Sequence, residues 1–110
     1  MATKDPREPF TRISVDEAKE MMGNGAAVID VREMHEYTGG HVPNAGHIPV
    51  NTVYARREEL PKDKDVIFVC AVGQRSALAA EMAAAAGLTR LFNLEGGTEA
   101  WIKSGQRVEK

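Results

Sequence analysis

One cysteine stands in this 110-residue sequence, and its neighbours decide whether it is inert. The segment is Cys70-Ala71-Val72-Gly73-Gln74-Arg75-Ser76, placed between a strand-like run and a helix-like run. Successive amides in such a tight turn can converge on one point and cradle an anion. The first amides of the following helix lack intrahelical partners and add the positive end of its dipole. Gly73 permits the curl, and Arg75 brings a permanent charge with a planar fork of donors. A thiol at the centre of this loop gains as the thiolate. The helix terminus alone supplies about 0.3–1 kcal/mol, or less than about one pKa unit, so the amides and Arg75 must do the rest. A lone cysteine is more often a small buried apolar residue, but that role requires neither the glycine, the arginine nor the helix start.

The loop's size narrows the chemistry. The pattern is Cys-x4-Arg. Cysteine phosphatases use a loop one residue longer, which encircles a tetrahedral phosphate. A shorter ring suits a smaller anionic group, such as one extra sulfur on the cysteine, and so favours sulfur transfer over phosphoryl transfer.

The elements that position this loop read as alternating strands and helices. Ile13-Ser14 leads into a helix over Val15–Met22, with Ser14 and Glu17 at capping-box spacing and Gly23-Asn24-Gly25 as its stop. Ala26–Val31 has the length and β-branched content of a buried strand. Glu33–Thr38 reads as a short helix, Ala45–Ile48 as a brief strand, and Asn51–Leu60 as a further helix closed by Pro61. Val66–Cys70 is the clearest strand, Ser76–Gly87 an Ala- and Met-rich helix, Leu91–Leu94 the last strand and Thr98–Ser104 the last helix. Such alternation predicts an α/β fold with a parallel sheet and helices on both faces, its site at the carboxyl ends of the strands. Cys70 falls there.

Three segments together resemble the rhodanese family of sulfurtransferases. The cysteine loop resembles that family's active-site loop. Asp30-Val31-Arg32-Glu33, then Glu36-Tyr37 and Gly40–Pro49, resemble its N-terminal signature; Leu94-Glu95-Gly96-Gly97 with Trp101 resembles its C-terminal one. The resemblance implies a rhodanese-like α/β fold, a central, mostly parallel sheet of about five strands, in one domain over residues 10–110; residues 1–9, with two prolines and four charges, read as a flexible tail. It also implies a two-step transfer in which Cys70 takes a sulfane sulfur, the loop from Ala71 through Val72, Gly73, Gln74 and Arg75 to Ser76 holds the persulfide, and cyanide or a thiol accepts it. No cofactor or metal is needed. Thiosulfate, mercaptopyruvate, polysulfide and glutathione persulfide are all open as donors, and a protein thiol is a further possible acceptor. Two departures stand out: the loop carries no lysine or second arginine, and Asn44 stands where many relatives have glycine.

Arg75 has two candidate roles, binding the donor's anionic end or bracing the loop. Arg32, just after a strand, is a candidate for the pocket rim, although an ion pair with Asp30 or Glu36 that fixes the first crossover is the favoured reading. His35, His41 and His47 lack metal-ligand spacing, and the two in the Gly-Pro-rich turn are expected to serve backbone groups. No acyl-transfer signature accompanies the cysteine, and Gly23-x-Gly25 lacks the third glycine of a dinucleotide fingerprint. The rival readings are a non-catalytic binding or regulatory module and, less favoured by loop length, a phosphatase or arsenate reductase of the same fold.

Composition sets the remaining bounds. Hydrophobic residues make up 43% and charged residues 27%, a globular balance. Fourteen basic against sixteen acidic residues gives a formal charge of -2, with no basic patch for nucleic acid. No apolar run is long enough to span a bilayer, and the polar N-terminus lacks a secretory core. A cytoplasmic monomer acting on small molecules is the expectation.

Overall fold

A computed structural model describes residues 2–110. Five strands form one parallel sheet: β1 (Thr11–Ile13), β2 (Ala27–Asp30), β3 (Gly46–His47), β4 (Val66–Val69) and β5 (Leu91–Leu94), in the spatial order β1-β5-β4-β2-β3. Four helices connect or follow them: α1 (Val15–Gly23), α2 (Met34–Thr38), α3 (Gln74–Ala85) and α4 (Gly97–Lys103). The α/β architecture expected from the alternation is present, and so is the sheet of about five parallel strands that the family resemblance implies.

Strand alternation builds a core on each face of the sheet. Val66, Phe68 and Cys70 point into a layer shared with Ala79, Ala80 and Ala83 of α3, while Ile67 and Val69 point into the layer holding Ala18 of α1 and Trp101 of α4. All four residues of β4 are buried, as a central parallel strand requires. Cys70 continues the period of β4 on its α3 side and is itself only 1% exposed.

Several boundaries differ from the sequence reading. Strand β1 was not anticipated; it is three residues long at the sheet edge, and only Ile13 is fully buried. The helix expected over Asn51–Leu60 is instead two 3-10 turns, Val50–Thr52 and Arg57–Glu59. Asn, Thr and Val are weak helix formers. Thr52 Oγ1 donates to the Pro49 carbonyl at 2.8 Å, and Arg57 Nη1 donates to that of Tyr54 at 2.8 Å, both local bonds that favour tight turns. Val53 and Leu60 are the two side chains this segment sends into the core. Helix α3 begins two residues earlier than expected, at Gln74, because Gly73 turns the chain with φ of 106°.

The capping box on α1 is present: the Glu17 amide donates to Ser14 Oγ at 3.2 Å and the Ser14 amide to Glu17 Oε1 at 2.8 Å. The leading segment, expected as a tail, is tied back by an antiparallel bridge in which Thr3 and Arg12 exchange both backbone hydrogen bonds at 2.8 Å.

Arg32 is corrected from the pocket rim to the first crossover. Its guanidinium is spent on buried Asp30, with Nε 3.0 Å from Oδ1 and Nη2 2.9 Å from Oδ2, and on the Gly40 carbonyl at 2.8 Å. Its backbone amide donates to Asp30 Oδ1 as well. The pair closes the turn after β2, the ion-pair alternative of the sequence reading. Removing one member of a buried pair strands the other, at a cost of about 3–5 kcal/mol. Asp30→Asn should therefore lower the urea midpoint severely, which chemical denaturation followed by Trp101 fluorescence will measure.

Candidate active site

The loop's architecture comes from what holds its carbonyls. The chain returns along β5, turns at Gly96-Gly97 and starts α4 directly against the loop. There the Thr98 amide donates to the Cys70 carbonyl at 2.8 Å, Thr98 Oγ1 donates to the same oxygen at 3.1 Å, and the Glu99 amide donates to the Ala71 carbonyl at 3.1 Å. Asn93 Nδ2 donates to the Gly73 carbonyl at 3.1 Å. In a trans peptide the C=O and the following N–H point opposite ways, so carbonyls drawn outward leave amides facing in. The approach needs a glycine: a Cβ on Gly97 would lie 2.3 Å from the Cys70 carbonyl oxygen and 2.5 Å from that of Ala71, at φ of 59°.

The sulfur sits where those amides converge. The Gly73 amide donates to Cys70 Sγ at 3.1 Å, and Ser76 Oγ lies 3.4 Å away. Burial raises the thiol pKa, but hydrogen bonds from the Ser76 hydroxyl and from the Ser76, Gly73 and Val72 amides outweigh it, so the thiol lies below its ordinary value. Ser76 Oγ also donates to Asn93 Oδ1. Its single proton can serve Asn93 while the oxygen accepts S–H, or turn to sulfur once the thiolate forms. Asn93 is wholly buried, and its Nδ2 also reaches Glu95 Oε2 at 3.2 Å.

Arg75 turns outward rather than into the ring. Nη1 and Nη2 meet Glu36 Oε1 and Oε2 at 2.8 and 3.0 Å, a bidentate pair that ties the loop to α2. Gly73 and Ser76 are buried with the sulfur, Ala71 is half-buried, and the side chains of Val72 and Gln74 are exposed. The sequence reading missed the structural parts of Asn93, Thr98 and Glu36. A polar Asn in the middle of the apolar run Leu91–Leu94 was the available signal for the first.

Two of the three histidines, His41 and His47, serve backbone carbonyls. His41 Nδ1 donates to Tyr37 O at 2.8 Å while its ring stacks on that tyrosine at 3.8 Å, and His47 Nε2 donates to Arg32 O at 2.7 Å. Among the described residues no three His, Cys, Asp or Glu side chains come together to hold a metal. No helix there is long and apolar enough to cross a membrane.

A family model, the rhodanese-like domain, matches residues 14–104. The chain belongs to the rhodanese family. The chain is 34% identical over 104 residues to thiosulfate sulfurtransferase GlpE of Actinobacillus pleuropneumoniae, covering 93% of this chain and 95% of that one. It is 40% identical over 76 residues to YqhL of Bacillus subtilis, covering 69% of this chain and 60% of the relative. A rhodanese-related protein from Thermoplasma volcanium has the same fold, with a TM-score of 0.82 and 33% identity over 89% of this chain and 96% of that chain. This rhodanese therefore has relatives of its own size, and the sulfurtransferase name on one of them supports a sulfurtransferase-type role.

Two solution measurements test the site. The pH midpoint for alkylation of Cys70 by iodoacetamide should lie below the ordinary thiol value of about 8.5. Ser76→Ala, which removes a hydrogen bond to the thiolate, should raise that midpoint by about one unit. The hydrogen bonds from Arg75 lower the Glu36 carboxyl to about 2 against the opposing effect of burial. A lowered folded-state pKa means the pair's contribution is complete above the ordinary glutamate value of about 4.3 and is lost as pH falls toward about 2. Melting curves of the wild type and Glu36→Gln should accordingly converge across that window.

Proposed function

We propose that this rhodanese is a sulfurtransferase that carries a sulfane sulfur on Cys70. The observation carrying the reading is a buried thiol with the Gly73 amide at 3.1 Å and the start of α3 behind it. That arrangement favours a thiolate, and it offers hydrogen bonds to a second sulfur that bears the charge after the first step. With thiosulfate as donor, the Cys70 thiolate attacks the outer sulfur, the S–S bond of the donor breaks, and its electron pair leaves with sulfite. Cys70 is then a persulfide anion. In the second step cyanide attacks the outer sulfur and departs as thiocyanate, returning the thiolate; a small thiol or a protein thiol serves in the same way.

The Ser76 hydroxyl takes part in both steps. It turns from Asn93 to the sulfur as negative charge develops and returns when the thiol is restored. Gly97 and Thr98 act through the loop carbonyls, and the cysteine itself carries the group, so the chemistry calls for neither metal nor organic cofactor. We read the chain as a cytoplasmic monomer on small-molecule donors.

Intact-protein mass spectrometry tests the proposal. Incubation with a sulfane donor should add one sulfur, cyanide should remove it, and Cys70→Ser should take up none while melting normally. A wild-type chain that gains no sulfur from thiosulfate, polysulfide or a thiol persulfide would instead favour a binding module that uses the loop for recognition.

A further inference from the structure

The loop has a single cation, and it is already engaged. Arg75 gives both terminal nitrogens to Glu36, at 2.8 and 3.0 Å, and the two side chains are only 35% and 26% exposed. Glu36 is held further by the Glu33 amide, which donates at 3.0 Å to Oε1, the oxygen that also meets Arg75 Nη1. The surrounding charge is acidic. Glu33 stands close enough to Arg75 to act on its charge, and Glu99, exposed in the first turn of α4, is joined through its amide to Ala71 of the loop. The other arginine of this region, Arg32, is consumed by Asp30. The mouth of the loop therefore offers amide dipoles beside exposed Val72, with no uncommitted guanidinium on the loop itself.

We propose that Glu36 is a specificity-determining residue: by holding Arg75 it turns the loop against dianionic donors such as thiosulfate and toward thiol persulfides, R–S–SH. The proposal rests on the sulfurtransferase reading above and names its donor. Two charge arguments support it. Thiosulfate brings two negative charges to a thiolate and must release sulfite, itself a dianion, beside carboxylates; each like charge in partly screened surroundings weighs against approach. A thiol persulfide brings one charge at most, on the sulfur that the loop amides are arranged to receive. The thiolate of Cys70 attacks the outer sulfur of R–S–SH, the donor S–S bond breaks, and R–S⁻ leaves to take up a proton as R–SH. The persulfide proton stays with the transferred sulfur or is lost to solvent, and no oxidant or reductant is consumed.

The test compares two donors on three proteins: thiosulfate and the persulfide of 2-mercaptoethanol, with wild type, Glu36→Gln and Glu36→Asp. Glutamine keeps an oxygen to accept the Glu33 amide but releases the Arg75 charge. In Glu36→Gln the ratio of kcat/KM for thiosulfate to that for the persulfide should rise about tenfold, mainly through a lower KM for thiosulfate. Glu36→Asp, which keeps the charge, should retain the wild-type preference, so a merely structural role for Glu36 would not reproduce the pattern. Raising ionic strength should speed wild-type loading by thiosulfate and change persulfide loading much less, and Glu36→Gln should flatten or reverse the thiosulfate response. Equal use of both donors by the wild type, or an unchanged ratio in Glu36→Gln with persulfide transfer intact, overturns the proposal. Loading by neither donor in the wild type overturns the sulfurtransferase reading itself, and the proposal with it.

Discussion

The contact on which the loop depends is the grip of α4 on two of its carbonyls. A strand end that runs into a helix has no intrinsic reason to aim its amides at one side chain. Here the Thr98 and Glu99 amides, free because they open a helix, draw the carbonyls of Cys70 and Ala71 outward. Asn93 does the same for Gly73 from the neighbouring strand. Orphan donors of one helix thus orient the peptide planes that precede another. The arrangement also explains a glycine: any side chain at Gly97 would occupy the space in which those hydrogen bonds form.

Sheet order makes that grip possible. Strands β4 and β5 are adjacent and parallel, so their carboxyl ends lie side by side and the turns that follow them meet. The alanines of α3, fully buried at 79, 80 and 83, let that helix lie close over β4 and keep its first turn beside the sulfur. Cys70 is thereby fixed by packing beneath, by hydrogen bonds around and by the helix start behind. The arginine contributes differently: its link to Glu36 joins the loop to α2, so two connections that are distant in sequence share one rim.

The sequence makes the central part of this legible and its periphery less so. Val66–Val69 is continuously apolar and mostly β-branched, which suits a central parallel strand, and the Gly-Arg-Ser pattern after it has little purpose outside a curled loop. Ser14 and Glu17 announce their cap directly. Thr11–Ile13 carries no such pattern because an edge strand of three residues needs only one buried side chain. The stretch from Val50 to Leu60 has helix-like spacing at Val53 and Leu60 but composition suited to turns, and local hydrogen bonds decided between them. Arg75 shows the limit most clearly: its residue type fixes the charge, while its partner lies 39 positions away and becomes visible only once the chain is folded.

The short bridge between Thr3 and Arg12 has a consequence for how copies of this protein behave together. An open parallel sheet has two edges, and each is a row of unpaired backbone groups able to recruit another chain. On one side β3 is two residues long, too short to template a partner. On the other, Thr3 takes up both free backbone groups of Arg12 in antiparallel fashion, and β1 itself is only three residues long. The molecule covers one edge from within the same chain and keeps the other short, which leaves the sheet little means of growing from one copy to the next at high concentration.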